Sequence, residues 1–262
     1  MINALRAQGH NVTIIDPQAV SLDIDEERWL REFDIIVARG RSWPLICLLA
    51  AAEAHKIPTI NTRAAITAVF NKAQIAVALS AGNLRMPRTF LGSIRNLVHK
   101  VPPESYPLIL KPLFGDNCQG LHVVNSPEKL KEIAWPDPVA LAQHYIPNDG
   151  CDLKLYGIGH EIWAVRKPSP LYSTKTLHLD RNSQYDSKAK LLKISPALQE
   201  LGRRCGNLFS LDLFGVDCIE TQDGLVVIDI NDFPNYTCVP HADTKLANYV
   251  TQHAKQRRRK KL

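Results

Sequence analysis

The run GVDCIETQDGLVVIDINDFPNY, residues 215–236, limits the possible folds more than any other stretch of this chain. Two apolar β-rich segments flank Gln222, Asp223 and Gly224, the composition of a hairpin turn. Side chains of a strand alternate between two faces, so Asp229 and Asn231 share one. If the pairing brings Asp217 beside them, three oxygen donors converge. A set without His or Cys suits Mg²⁺ or Mn²⁺, which keep waters and complete their shell with nucleotide phosphates. The competing reading is a hairpin whose polar residues face water. Each acid, however, sits inside a strongly apolar run, where a solvated face is less expected.

With 262 residues the chain can bury a large core and divides naturally into two or three packed units. Its formal charge of +6 points to an acidic ligand, but the closing KQRRRKKL alone carries six positive charges. The body is therefore near neutral, and residues 255–262 are expected to be a solvated basic tail, the one place where nucleic acid could attach. The six cysteines are scattered without Cys-x-x-Cys spacing, so neither a zinc site nor a disulfide framework is indicated. No run approaches the roughly 20 apolar residues of a membrane span, and the start lacks a signal-peptide pattern. A reducing cytoplasm is the expected setting, with no membrane partner.

The opening MINALRAQGHNVTIID reads as the tail of a helix, a stop at Gly9 and a strand from Val12 to Ile15. An α/β unit normally begins with a strand, so the chain is expected to start downstream of one. A helix near 26–32, the strand FDIIVAR, a helix over 45–55 and the strand IPTIN complete a small parallel α/β unit over residues 1–65. Ligands of such sheets sit beyond the carboxyl ends of strands, where Arg39 and Arg41 could meet an anionic group or simply form a surface pair. A second unit, 66–146, holds the helix 71–81, two strands around a polar loop after Lys111, the helix PEKLKEIA and the strand in PVALAQHYIP. Pro147 to Gly150 make a turn-rich linker. The third unit, 147–254, has two strands around Gly159, a helix over 196–209 and the hairpin.

Lys111 closes the strand PLILK, and Gly115 and Gly120 bracket the loop that follows it. Glycines let backbone approach phosphate oxygens, and a lysine at a strand end supplies a compact charge. Leu121 follows where a Walker loop needs Lys and Ser or Thr. An ordinary hairpin would carry the same residues.

The order Lys72, Lys111, Gly-rich loop, AQHYIP hinge, Asp152 and acidic hairpin resembles the ATP-grasp superfamily over nearly the whole chain. The resemblance implies an α/β fold in which a small N-terminal unit precedes two α+β subdomains enclosing ATP. It implies that Lys72, Lys111 and the loop with Gly115, Asp116, Asn117 and Gly120 hold the phosphates. Gln143, His144, Tyr145 and Ile146 would meet adenine, Asp152 the ribose, and Asp217, Asp229 and Asn231 would bind Mg²⁺ or Mn²⁺. Phosphoryl transfer asks mainly for positioning and charge neutralisation, which two lysines, a divalent ion and backbone N–H groups provide.

Two branches are matched. KPLFGDNCQG is similar to RimK-type amino-acid ligases, which phosphorylate a carboxylate and let an amine displace the phosphate. VRKPSP and VIDINDFPNY are similar to inositol polyphosphate kinases. Against the ligase stand Asp229 where Glu is usual and Asn235 where Gly is frequent; against the kinase stands the lack of His within residues 116–119. A nucleotide-binding protein without catalysis is a third reading, opposed by the full set of lysines and acids. The expectation is a carboxylate–amine ligase acting on a small-molecule or peptide acceptor of anionic character. Arg166 and Lys167 alternate on one strand, so one of them faces the cleft as a catalytic cation. Lys175, His178 and Arg181 fall in a segment that could line the acceptor site.

Overall fold

The structure, a computed structural model, describes residues 1–21, 23, 28–115, 120–169 and 188–261. Asp116, Asn117, Lys175, His178 and Arg181 lie outside the described residues. The N-terminal unit runs through α1 (Ile2–Ala7), α2 (Arg28–Arg31), β1 (Ile36–Val37), α3 (Trp43–Ala54) and β2 (Thr59–Ile60), with β1 and β2 paired in parallel. α3 starts two residues before the apolar pattern alone suggests, because Ser42 Oγ accepts the Leu45 N–H and Pro44 fits the first turn. Residues 12–15 do not form the expected strand. The β1–β2 pair offers them no ladder, and a backbone without one turns to water; Ile14 is 69% exposed.

α4 (Arg63–Ala68) and α5 (Lys72–Ala81) lead into an antiparallel sheet of β3 (Thr89–Gly92), β4 (Leu108–Lys111), β5 (His122–Val124) and β6 (Ala140–His144), in the spatial order β3-β6-β4-β5. α6 (Ile94–Lys100) and α7 (Pro127–Lys131) cover one face, burying Leu108, Leu110, Ala140 and Ala142 with Leu97 and Leu130. Strand alternation then leaves Ile109, Lys111, Leu141 and Gln143 on the other face.

The larger sheet holds β7 (Cys151–Ile158), β8 (Glu161–Pro168), β9 (Lys190–Leu192), β10 (Leu213–Thr221) and β11 (Gly224–Asp232), all antiparallel, in the order β11-β10-β7-β8-β9. α8 (Pro196–Phe209), capped by Ser195, packs on one face together with α5; Ile75 and Leu79 meet Leu155, Phe209, Phe214 and Val216 there. α5 thus builds its core with the larger sheet although the chain continues directly into the smaller one. α9 (Ala242–Lys261) packs with α1 against the opposite face through Leu5, Leu246 and Val250. The expected tail is therefore the last turns of a helix. Lys, Arg and Gln are good helix formers, and positive charge is favourable at a helix C-terminus.

The register of the hairpin shifts once. Cys218 pairs with Val227, but Asp217 pairs with Asp229, so Ile228 is an extra residue. Val227 and Ile230 both pack into the core, three positions apart. The bulge reverses the alternation between them and turns Asp229 and Asn231 to the face that carries Asp217.

Candidate active site

Acids and lysines alternate across that face. Lys154 on β7 lies opposite Asp217 on β10, and Asp152 lies opposite Lys167 on β8. Lys154 Nζ stands 2.5 Å from Asp217 Oδ2, Asn231 Nδ2 donates to the same oxygen at 2.8 Å, and Lys167 Nζ is 3.5 Å from Asp217 Oδ1. Lys72, in the first turn of α5, reaches Asp229 Oδ2 at 2.6 Å. Lys111 donates to the carbonyl of the bulged Ile228 at 3.3 Å. Asp217 and Asp229 are thus each neutralised by an ammonium. Burial works to raise the Asp217 carboxyl, but Lys154 and Lys167 outweigh it and hold the group well below the usual carboxylate range. Lys167 is raised in turn by the Asp217 charge.

Asp152 is 4% exposed and accepts from Asn148 Nδ2 at 2.8 Å. Burial, and then the Asp217 charge, push its carboxyl up to about 6, with Ser169, Lys167 and Asn148 opposing. The folded state therefore holds this proton more tightly than the unfolded chain. Asp152 favours folding below its ordinary 3.8, and that contribution is lost as the pH rises through about 6. The difference corresponds to about 3 kcal/mol. Asp217 has the opposite sense and loses its contribution as the pH falls. Asp152→Asn should gain stability relative to the parent between about pH 4 and about pH 7 in urea melts. A difference that stayed constant over that range would exclude charge burial as its cause.

Lys72, Lys111, Leu141, Gln143, Ile228 and Asp229 line a cavity between the two sheets. Gln143 is 5% exposed, and its Nε2 donates to Thr89 Oγ1 at 3.1 Å. Its Oε1 is buried without a hydrogen-bond partner among the described residues. An orphaned acceptor in a polar cavity fits a ligand with an N–H donor, such as the adenine amino group. The hinge N–H groups are engaged elsewhere: His144 donates to Arg88 O at 2.9 Å and Tyr145 to Pro107 O at 2.8 Å. An adenine at 144–146 would have to use other backbone groups, such as those of Ile146. His144 Nδ1 also lies 2.7 Å from Ser105 O.

The donor set suits a hard divalent ion. Asp217, Asp229 and Asn231 offer oxygen only, on one face and in adjacent register. Among the described residues no group of three or more His, Cys, Asp and Glu is placed to hold a metal, so an ion here would need the amide oxygen of Asn231 as a third donor. Gly115 and Gly120 have φ of +120° and +70°, a region that glycine adopts without strain, and they frame the loop beyond Lys111.

Arg166 is not brought to this face. It lies opposite Leu153, exposed, and pairs with Asp149. Lys167 alone of the two faces the acids. Arg41 meets the protein's own Asp232 at 3.1 Å, and Gly40 N donates to the same carboxylate at 2.8 Å. Arg39 donates to Asn235 Oδ1 at 2.5 Å and lies over the Phe233 ring. These contacts dock the N-terminal unit on the loop after β11. There Phe233, Tyr236, Cys238 and His241 all have positive φ, a strained course anchored by Tyr236 Oη donating to Gly157 O at 2.8 Å. Lys154, Asn148, Ser169 and Asp232 are site residues that sequence reasoning missed. For Lys154 a signal existed, since it stands two positions after Asp152 and so shares its face.

No helix among the described residues is long and apolar enough to cross a membrane. The RimK-like ATP-grasp domain family matches residues 70–251, more than half of the chain. The probable alpha-L-glutamate ligase 1 of Shewanella denitrificans is 25% identical over 96% of this chain and 90% of that protein. Inositol-tetrakisphosphate 1-kinase 2 of Oryza sativa subsp. indica is also 25% identical, over 90% of this chain and 78% of that one. A RimK domain ATP-grasp protein from Sphaerobacter thermophilus superposes with a TM-score of 0.73 at 18% identity, covering 96% of this chain and 92% of its own. The paired sheets, the lysines between them and these matches agree: the chain belongs to the RimK-like ATP-grasp family and is an ATP-dependent ligase of that fold, with ATP and Mg²⁺ or Mn²⁺ as its cofactors.

Proposed function

We propose that the protein joins a carboxylate to an amine through an acyl phosphate, with an amino acid or peptide of anionic character as one substrate. The observation that carries this reading is the convergence of Lys72, Lys111 and Lys167 on the face that bears Asp217, Asp229 and Asn231, within a segment matched by the RimK-like family. Bound ATP would supply the phosphoryl group that activates the carboxylate, a divalent ion held by Asp217, Asp229 and Asn231 would neutralise phosphate charge, and the amine would displace inorganic phosphate to leave the amide.

The residues of this chain bind and orient. Lys72 and Lys111, which line the cavity, neutralise phosphate oxygens when they exchange Asp229 and Ile228 O for the ligand. Asp217, Asp229 and Asn231 hold the divalent ion, and Asp152 with Gln143 fixes the nucleoside. Lys167 is the cation on the acceptor side, placed to stabilise charge that develops on the transferred group. Arg39, exposed beside Asn235, is the cation available to an acceptor carboxylate. The apolar walls around Leu141 and Ile75 keep water from the activated group.

The test uses purified protein with ATP and Mg²⁺, offered either pools of amino acids and short peptides or inositol phosphates. Acceptor-dependent release of free phosphate with a new amide mass is expected, and hydroxylamine should trap the activated carboxylate as a hydroxamate. ADP formed without free phosphate, with the phosphoryl group retained on the product, would replace the ligase by a kinase. The VRKPSP segment and the match to the Oryza enzyme make that the second reading.

A further inference from the structure

Lys154 has no part in the mechanism above, yet it is buried at 6% exposure in the middle of the acidic face. It holds Asp217 Oδ2 at 2.5 Å, on the oxygen to which Asn231 also donates. Lys167 approaches the other oxygen more loosely, at 3.5 Å, and its side chain is 27% exposed against 7% for Lys154. One lysine can swing away toward a ligand and the other cannot. Gly215 explains why Lys154 fits. A Cβ at Gly215 would stand 2.8 Å from Lys154 Cε, 3.2 Å from its Nζ and 3.2 Å from Pro234 Cγ. The backbone of Gly215 is not in the left-handed region, so its glycine serves space and not conformation.

We propose that Lys154 is a positioning residue that holds the Asp217 carboxylate toward Asn231 before the divalent ion arrives and weakens the ion's hold afterwards, with Gly215 leaving room for its ammonium. Without an ion, the half-buried Asp217 lies opposite Asp229 and shares its face with Asp152, and a fixed ammonium offsets the crowding of like charge. Once an ion takes Asp217, an ammonium trapped beside it repels it. The site is thereby kept stable when empty and exchangeable when loaded. This inference rests on Asp217 as a metal ligand.

The test measures Mn²⁺ binding to the full chain by electron paramagnetic resonance without ATP, together with thermal melts with and without Mn²⁺. Lys154→Met, which keeps the length and removes the charge, should bind Mn²⁺ roughly tenfold more tightly than the parent. It should also melt lower without Mn²⁺ and recover with it. Gly215→Ala should shift Mn²⁺ affinity in the same direction by displacing the ammonium, and should cost less stability in a Lys154→Ala background than in the parent. Lys154→Met that binds Mn²⁺ no more tightly than the parent, or that stays unfolded even with Mn²⁺, overturns the proposal and leaves Lys154 a packing residue. Asp217→Asn separates the two levels. If it binds Mn²⁺ like the parent, the metal reading itself fails; if it loses Mn²⁺ while Lys154→Met changes nothing, only the present inference does.

Discussion

Asp217→Asn is expected to lower turnover by about two to three orders of magnitude and to remove about 3–5 kcal/mol of folding stability, the largest combined loss from any single change in the cleft. Asp217 carries a double load. In the folded chain it is the counter-ion of both Lys154 and Lys167, and asparagine would leave two largely buried ammonium groups without a carboxylate. On the proposed function it is also one of three oxygen donors to the divalent ion, and losing such transition-state electrostatics costs about two to three orders of magnitude in rate. Asp229→Asn should be milder for the fold. Asp229 pairs with Lys72, and its side chain is 22% exposed. Urea melts of the two variants beside phosphate release measure both effects. An Asp217→Asn protein with the parent's urea midpoint would show that the lysines find other partners, and parental turnover would remove Asp217 from the metal site.

Gly157→Ala should destabilise the protein by about 3 kcal/mol, a large effect for one methyl group. A Cβ there would lie 2.3 Å from Cε1 and Cζ of Phe214, far inside contact distance. The ring cannot retreat. Phe214 is 1% exposed, and Gly206 of α8 faces the same two atoms, with its own virtual Cβ at 2.7 Å. The two glycines form a slot for one ring, between β7 and the helix that covers the larger sheet. Phe214→Leu should therefore relieve Gly157→Ala, with the double variant less destabilised than the sum of the single ones in urea melts. Strict additivity would place the strain elsewhere. Because Gly157 O also accepts from Tyr236 Oη, the substitution should disturb the loop after β11 and lower the rate more than a distant core change of equal cost.

Much of the cleft is legible in the residues themselves. The two β runs around Asp223, the Lys111 strand end and the Ser195–Pro196 helix start each follow from local periodicity or capping, and each is found where those rules put it. What stays hidden depends on pairing between distant segments. Lys154 reads as one more charge on a strand until β10 is laid beside β7. Arg41 reads as a surface or ligand-facing residue until Asp232, far along the chain, takes it. Val12 to Ile15 has the composition of a strand and lacks only a partner, which composition cannot report. The basic C-terminal residues read as a tail because charge suggests solvent, while the helix that includes them is held from its other end by Leu246 and Val250.

The extra residue at Ile228 gives the hairpin a property that no substitution table would reveal. It supplies a backbone carbonyl for Lys111 whatever side chain stands there. Deleting Ile228 would restore plain alternation with Val227 still opposite Cys218 and Asp229 still opposite Asp217, so Asp229 and Asn231 would keep the cleft face while the carbonyl that Lys111 uses would be gone. Exchanging Ile228 for another aliphatic residue would leave the layout intact, since Lys111 uses its carbonyl and not its side chain. At this position the chain can drift in sequence with little consequence, but losing the residue would remove the carbonyl that ties Lys111 to the hairpin.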